Sequence, residues 1–296
     1  MAVIILRYLE AENGKVEKAI HITNIANLRY LQTKKYQRVY WGVEFCQNLI
    51  PSLEDTQKAL ELTRRAGMGF TLVCPFVTES GIKRLDRILA WLKRERVCCE
   101  VVVNDWGVLE LLNTDYKKRF EIALGRLLVR QQRDPAMKRV LEKQPPIGVK
   151  GKDGKIHIVV HRVPAEKYQI GVKSSYINSR ANQRILSEFG IERVELNNLV
   201  QGVDLNGLKW KKSLYTPYVH ISTTRFCPMD SKEQRTYRIN VCKKECQKYY
   251  DILRNRALPK IIYKRGNTTF YKNSVNNRMA LKAGIDRIVF QPEIPF

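Results

Sequence analysis

A (β/α)8, TIM-like barrel within the α/β class is the fold this sequence predicts, and three observations predict it. Apolar, β-branched runs alternate with amphipathic helical segments along most of the 296 residues. The runs are almost unbroken, as in strands of a parallel sheet that is buried on both faces. About seven or eight such units fit the length, and no Gly-rich phosphate loop follows the first strand to favour an open, doubly wound sheet. The whole chain, 1–296, is expected to form one barrel domain.

The first clear strand is RVYWGVEF (38–45). The following SLEDTQKALELTRRAG (52–67) reads as a helix, with Ser52 as N-cap, Asp55 three positions on, and Gly67 as its stop. GFTLVCPFV is a strand, GIKRLDRILAWLKRER a helix, CCEVVVND a strand and WGVLELLNT a helix. FEIALGRLLV reads as a strand running into a loop. SRANQRILSEFG (helix), IERVELNN (strand) and YVHIST (strand) come next, and NSVNNRMALKAG and IDRIVFQPE close the chain as helix and strand. Residues 131–175 break this rhythm. A proline pair and an Asp153-Gly154 turn between short extended runs predict a hairpin, inserted as a basic arm that would meet a partner.

The net charge is +24, with +10 of it over 126–184 and +12 over 208–272. Such a concentration attracts polyanions, so RNA is an expected partner class, although no recognition motif with stacking aromatics accompanies it. No apolar run reaches the ~18–20 residues of a membrane span. The opening MAVIILRYLEAEN lacks the cleavage pattern of a secretory leader, so the expected location is cytoplasmic.

Seven cysteines in such a chain argue against a disulfide framework. Cys74, Cys98 and Cys99 fall in apolar runs and are expected in the core. Cys46, Cys227, Cys242 and Cys246 remain, the number that a tetrahedral zinc or an iron–sulfur cluster takes. Cys46 follows an early strand and the other three follow YVHIST. In a barrel the C-terminal ends of all strands open on one face, so ligands far apart in sequence can meet there. One remote cysteine with three grouped ones suits a [4Fe–4S] cluster; zinc is the alternative, and unligated thiols the third reading. Arg225, Arg235, Lys243 and Lys244 would offset a cluster's negative charge. His220 is expected as a satisfied core residue, and His157 and His161 as structural residues of the hairpin.

VYWGVEFC, EVVVNDWGVLELL and STTRFC followed by C-x14-C-x3-C together resemble the peptidase U32 family, most of all its UbiV-like branch of oxygen-independent ubiquinone biosynthesis. The resemblance runs over about 38–125 and 176–296. It implies a [4Fe–4S] cluster on Cys46, Cys227, Cys242 and Cys246 and a role in O2-independent hydroxylation of an aromatic quinone precursor or an RNA nucleobase. It also implies a second, similar subunit as partner. Asp105 would stand at the cluster face as a candidate for proton transfer, or else cap its helix. Arg225 is a candidate for holding a carboxylate. An RNA-binding protein with a structural cluster is the second expectation. A peptidase is the third, although the G-[SA]-x-C-x4-G-x-C signature of the family's peptidases is absent.

Overall fold

The structure, a computed structural model, describes residues 16–32, 35–230, 242–256, 258–273 and 284–296. Fourteen strands occur among the described residues: β1 (Glu17–Ile22), β2 (Arg38–Gly42), β3 (Gly69–Cys74), β4 (Glu100–Val103), β5 (Glu121–Leu124), β6 (Ile147–Lys150), β7 (Ile156–Val159), β8 (Ile191–Asn197), β9 (Lys211–Thr216), β10 (Tyr218–Thr223), β11 (Asp251–Leu253), β12 (Ile262–Arg265), β13 (Thr268–Lys272) and β14 (Arg287–Phe290). The helices are α1 (Leu53–Arg65), α2 (Glu79–Arg94), α3 (Trp106–Thr114), α4 (Arg126–Val129), α5 (Met137–Leu141), α6 (Glu166–Lys173) and α7 (Arg180–Glu188).

Eight strands, β1, β2, β3, β4, β5, β8, β9 and β14, pair in parallel in that order and close into a barrel when β14 returns to β1. This is the predicted (β/α)8 architecture. Successive side chains alternate between its two faces. Ala19, Tyr40, Val73, Val102, Tyr215 and Val289 form an apolar layer inside the barrel, while Val39, Trp41, Leu72, Val101 and Leu214 pack beneath the helices. Burial on both faces explains the unbroken apolar runs in the sequence. Ser52 caps α1 as predicted, accepting the Asp55 N–H at 3.0 Å.

Two barrel strands were not legible in the sequence. β1 and β9 carry Glu17, Lys18, Lys211 and Lys212 at their N-terminal ends, so neither reads as an apolar run. YVHIST is β10, but it is not a barrel strand. It follows β9 after Pro217 and pairs antiparallel with β13, in a four-stranded sheet ordered β10-β13-β12-β11. FEIALGRLLV is β5 followed by the short α4 rather than a loop. The predicted hairpin is present: β6 and β7 pair antiparallel around Gly151–Lys155. Cys74 and Cys99 are buried as expected, whereas Cys98 is exposed. It borders a cavity of about 650 Å³ at the N-terminal end of the barrel, where β3 and β4 begin and side chains meet solvent. The helix read over NSVNNRMALKAG falls mainly on 274–283, outside the described residues.

Charged side chains close the N-terminal end of the barrel from inside. Arg287 donates to Glu17, Glu100 and the Tyr40 hydroxyl, each at 2.6 Å. Arg193 donates to Glu100 at 3.2 Å and pairs with Asp286. Burial works against the charge on Arg287; Tyr40, Glu100, Glu195 and Glu17 outweigh it and raise its pKa. Glu195 accepts from Tyr40 at 3.1 Å, and its Oε2 has no hydrogen-bond partner among the described residues. Burial, reinforced by Glu100, pushes the Glu195 carboxyl up to about 7 against the pull of Arg287 and Arg193.

A folded state that holds this proton more tightly than the unfolded chain loses stability as pH rises from about 4.5 to about 7. At ~1.4 kcal/mol per unit, the fall attributable to Glu195 is about 3 kcal/mol. Glu195→Gln keeps the acceptor for Tyr40 and removes the titration. Urea denaturation of both proteins at several pH values is expected to give a gap that widens in favour of the variant across this window. Parallel curves would rule out a raised Glu195 pKa.

Candidate metal centre

The C-terminal mouth of the barrel is built around a buried ion pair. β2 ends at Gly42, whose φ of +121° belongs to glycine and whose added Cβ would collide with the Val73 carbonyl. The chain turns there and sends Glu44 inward. Arg126 arrives from β5 through Gly125, where a Cβ would strike the Asn104 side chain. That close approach lets Asn104 accept from Leu127 N at 3.1 Å and donate to the Cys74 carbonyl at 3.0 Å. Glu44 and Arg126 are fully buried and doubly bonded, with Arg126 Nε donating to Glu44 Oε1 at 3.0 Å. Arg126 Nη1 also donates to Asn197 Oδ1 (3.1 Å) and to the Tyr218 carbonyl (3.0 Å), and the guanidinium lies 4.0 Å from the Tyr215 ring centroid. Two charges without solvent thus have each other and a full set of donors and acceptors.

His21 donates through Nε2 to the Gly42 carbonyl at 3.0 Å, and burial holds its pKa down at about 4. His220 is fully buried, and burial together with Arg133 and Arg126 keeps it neutral. Its Nδ1 meets Asn197 Oδ1 at 3.3 Å and its Nε2 meets Arg133. With Arg133 able only to donate, the proton of His220 belongs on Nδ1. This is the satisfied core histidine expected from sequence.

The four-stranded sheet leaves β9 at this mouth, and the cysteines lie between it and the barrel. Phe45, Tyr218, Met229, Cys246, Phe270 and Phe296 form one buried cluster, against which Cys46 and Cys227 pack. Gly266 (φ +58°) allows the β12–β13 turn to cross the Phe296 ring, and Asn267 from that turn donates to the Phe45 carbonyl at 2.8 Å. Cys46 caps a short 3-10 turn (Gln47–Leu49), Cys227 opens the turn closed by Asp230, and Cys246 sits in the 3-10 turn Glu245–Gln247. Cys242 precedes that turn.

Three of the thiols are held above their ordinary pKa, mainly by burial. Burial is the main force raising the Cys46 thiol to about 11; Cys242 and Cys227 add to it, and the N–H groups of Asn48 and Leu49 oppose it. Burial raises Cys227, opposed by the N–H groups of Asp230 and Met229 and assisted by Cys242. Burial and Cys46 raise Cys246 to about 11, with smaller contributions from Cys227 and Cys242. Thiols that disfavour each other's ionisation need a cation to become thiolates together. Backbone N–H groups aimed at two of the sulfurs are the second feature that a thiolate-bound centre uses. The donor set therefore fits a cluster or a zinc ion in kind. Among the described residues no three His, Cys, Asp or Glu side chains stand at metal-binding spacing.

The remaining sequence candidates fall as follows. Asp105 is the N-cap of α3; Oδ1 accepts from Gly107 N at 2.7 Å and Oδ2 from Val77 N at 3.2 Å. Both oxygens thus serve the backbone. Arg225 is exposed, with its guanidinium 5.6 Å from the Phe76 ring centroid. Arg235 lies outside the described residues. His157 pairs with Asp153 at the hairpin surface. Sequence reading missed Glu44, Arg126, Arg133 and Arg265. Arg265 donates to the Cys246 carbonyl (2.7 Å) and the Ile294 carbonyl (3.1 Å), which places a cation beside the cysteines. A charged residue immediately after an apolar strand, as in VEF and LGR, was the signal available for the first two.

Among the described residues no helix is long and apolar enough to cross a membrane. No protein-family model and no curated protein sequence matches the chain. A chitinase from Trichuris suis (TsES1) superposes with a TM-score of 0.33 and 10% identity, covering 93% of this chain and 91% of that one. The human pseudo-chitinase YKL-39 gives 0.32 and 9%, covering 93% and 92%. The U32 peptidase Mk0906 gives a TM-score of 0.46 at 9% identity and covers 96% of both chains, so a U32 peptidase is among the solved structures to which this chain is similar.

Proposed function

We propose that this chain is an iron–sulfur protein of the U32 type in which Cys46, Cys227, Cys242 and Cys246 hold a [4Fe–4S] cluster. In this reading it is an enzyme, or the subunit of one, for O2-independent hydroxylation of an aromatic quinone precursor or an RNA nucleobase. The observation that supports the reading is that Cys46, Cys227 and Cys246, from three separate stretches of chain, pack in or against one buried cluster at the C-terminal mouth, with Cys242 contributing to the raised pKa of each. A bound cluster would supply electron transfer or a Lewis-acidic site. The chain's own part is to present the thiols, to place Arg265 beside them, and to hold the mouth rigid through Glu44 and Arg126. Anaerobic purification with iron and sulfide analysis and an absorption spectrum tests it. A brown protein supports the proposal, and a colourless one with a single zinc excludes it.

A partner subunit belongs to the same reading. All eight residues of β6 and β7 are exposed. Ile147, Val149 and Val159 share one face and Ile156 and Ile158 the other, with Ile156 and Ile158 exposed by 75% and 73%. A two-stranded hairpin with apolar residues on both faces is marginal alone and gains from being covered. The double variant Ile156→Asp, Ile158→Asp is expected to keep the wild-type melting temperature and to lose association with a co-expressed partner on a sizing column. Unchanged association would remove the arm from the interface.

The charge of +24 favours a second reading, an RNA-binding protein with a structural cluster. RNA affinity then drops by orders of magnitude between about 50 and 200 mM salt. Weak binding indifferent to salt removes this reading.

A further inference from the structure

We propose that Tyr250, Tyr263 and Tyr218, with Lys272 among them, form a platform on the four-stranded sheet that binds single-stranded nucleic acid by stacking its bases. The proposal rests on the RNA-binding reading and gives it a surface. No local motif gathers these residues. Tyr218 is in β10, Tyr263 in β12 and Lys272 in β13, and Tyr250 immediately precedes β11. The register of the antiparallel sheet brings them to one face. Tyr218 stands opposite Lys272, Tyr263 opposite Phe270 two residues before Lys272, and Ile252 opposite Tyr263. Opposed residues, and residues two apart on one strand, share a face. The ring centroids of Tyr250 and Tyr263 are 6.3 Å apart, as are those of Tyr263 and Tyr218. Lys272 Nζ lies 5.1 Å from the Tyr218 centroid and 5.5 Å from that of Tyr263.

The rings and the charge around them point to the same ligand. Tyr218 is buried in the cluster against which Cys46 and Cys227 pack, Tyr263 is half-buried, and Tyr250 is 46% exposed. The three rings thus form a series from that cluster to solvent. Ile252, 47% exposed, extends the apolar surface beside Tyr263. Exposed rings and an isoleucine would suit a protein partner as well; the charge decides between the two. Between 247 and 273 the chain has one acidic residue, Asp251, whereas Arg254, Arg256, Lys260, Lys264 and Lys272 are among its cations. Arg254, Arg256 and Lys272 are exposed. A ligand that is a polyanion and also offers flat π faces satisfies both features, and single-stranded nucleic acid is such a polymer. A duplex keeps its bases stacked on one another and offers mainly phosphate and sugar. Lys272, held over two rings, can meet a backbone phosphate while the neighbouring Tyr250 takes a base.

Fluorescence anisotropy on the full chain, with a labelled single-stranded oligouridylate of about twelve nucleotides, tests the platform. The comparison probes are a duplex RNA of the same length and an abasic oligomer with the same number of phosphates. The single strand is expected to bind about tenfold or more tighter than the abasic oligomer. Tyr250→Ala is expected to weaken the single strand about five- to hundredfold, to leave the abasic oligomer unchanged and to keep the wild-type melting temperature. Tyr250→Phe keeps the ring and is expected to restore the affinity. Lys272→Gln is expected to weaken both oligomers and to reduce the salt slope by about one. Equal binding of the single strand and the abasic oligomer would mark a surface for any polyanion, an acidic protein included, and would overturn the platform. Tighter binding of the duplex, unchanged affinity in Tyr250→Ala, or no recovery in Tyr250→Phe would overturn it too, while leaving the RNA-binding reading to rest on charge alone. Failure of every probe to bind would overturn both.

Discussion

Anaerobically purified wild-type protein is expected to carry about four irons and four acid-labile sulfides per chain, and the Cys46→Ser and Cys242→Ser variants to lose most of both. Cys46 is the more informative of the two. Some 180 residues separate it from the other three, and it packs against the same buried cluster as Cys227 and Cys246 only because the chain after β2 and the sheet that follows β9 lie at the same face. Its thiol is already pushed up to about 11, mainly by burial, with Cys242 and Cys227 adding to the effect. A serine there replaces a soft ligand with a hydroxyl that ionises far less readily. The Cys74→Ser variant is the control, since Cys74 is fully buried in β3 beneath the helices and away from this cluster. Iron content indifferent to Cys46 but lost with Cys242 would place the fourth ligand elsewhere. Iron lost equally from the Cys74 variant would reduce the effect to general misfolding.

The second large effect concerns Glu44 and Arg126. Arg126→Met is expected to destabilise the fold by about 3–5 kcal/mol, because it strands a fully buried carboxylate without its ion-pair partner. Asn197 Oδ1 and the Tyr218 carbonyl lose a donor in the same change. Glu44→Gln with Arg126→Met removes both charges and is expected to recover a large part of the loss. Urea midpoints of the single and double variants measure this. If the double variant is no more stable than Arg126→Met, the ion pair is not what matters, and the hydrogen bonds to Asn197 and Tyr218 are. The pair also bears on function. Glu44 is two residues from Cys46, so its loss is expected to lower iron content as well as stability.

The alternation of apolar runs and amphipathic helices was enough to read the barrel, because a parallel strand buried on both faces must be apolar throughout. Ser52, the hairpin turn at Asp153-Gly154 and the isolation of four cysteines from the apolar runs were legible for equally local reasons. β1 and β9 were not. Their N-terminal ends carry charged residues, and the inward positions of the barrel floor (Arg193, Glu195, Arg287) are ionic rather than apolar. Such residues are tolerated only because they meet one another across the barrel, and no local pattern records that meeting.

The candidate centre divides in the same way. Sequence alone determined which cysteines are available, how they are spaced, and that the chain carries a large positive charge in two blocks. Only the tertiary structure decided that YVHIST leaves the barrel for a second sheet and that this sheet covers the cysteines. It also decided that Arg265, from the end of β12, stands beside Cys246 as a cation distant in sequence. Ligand type is a property of single residues and survives in the sequence. Electrostatic neighbourhood depends on which strands are adjacent, and barrel closure, long-range pairing and burial settle that together.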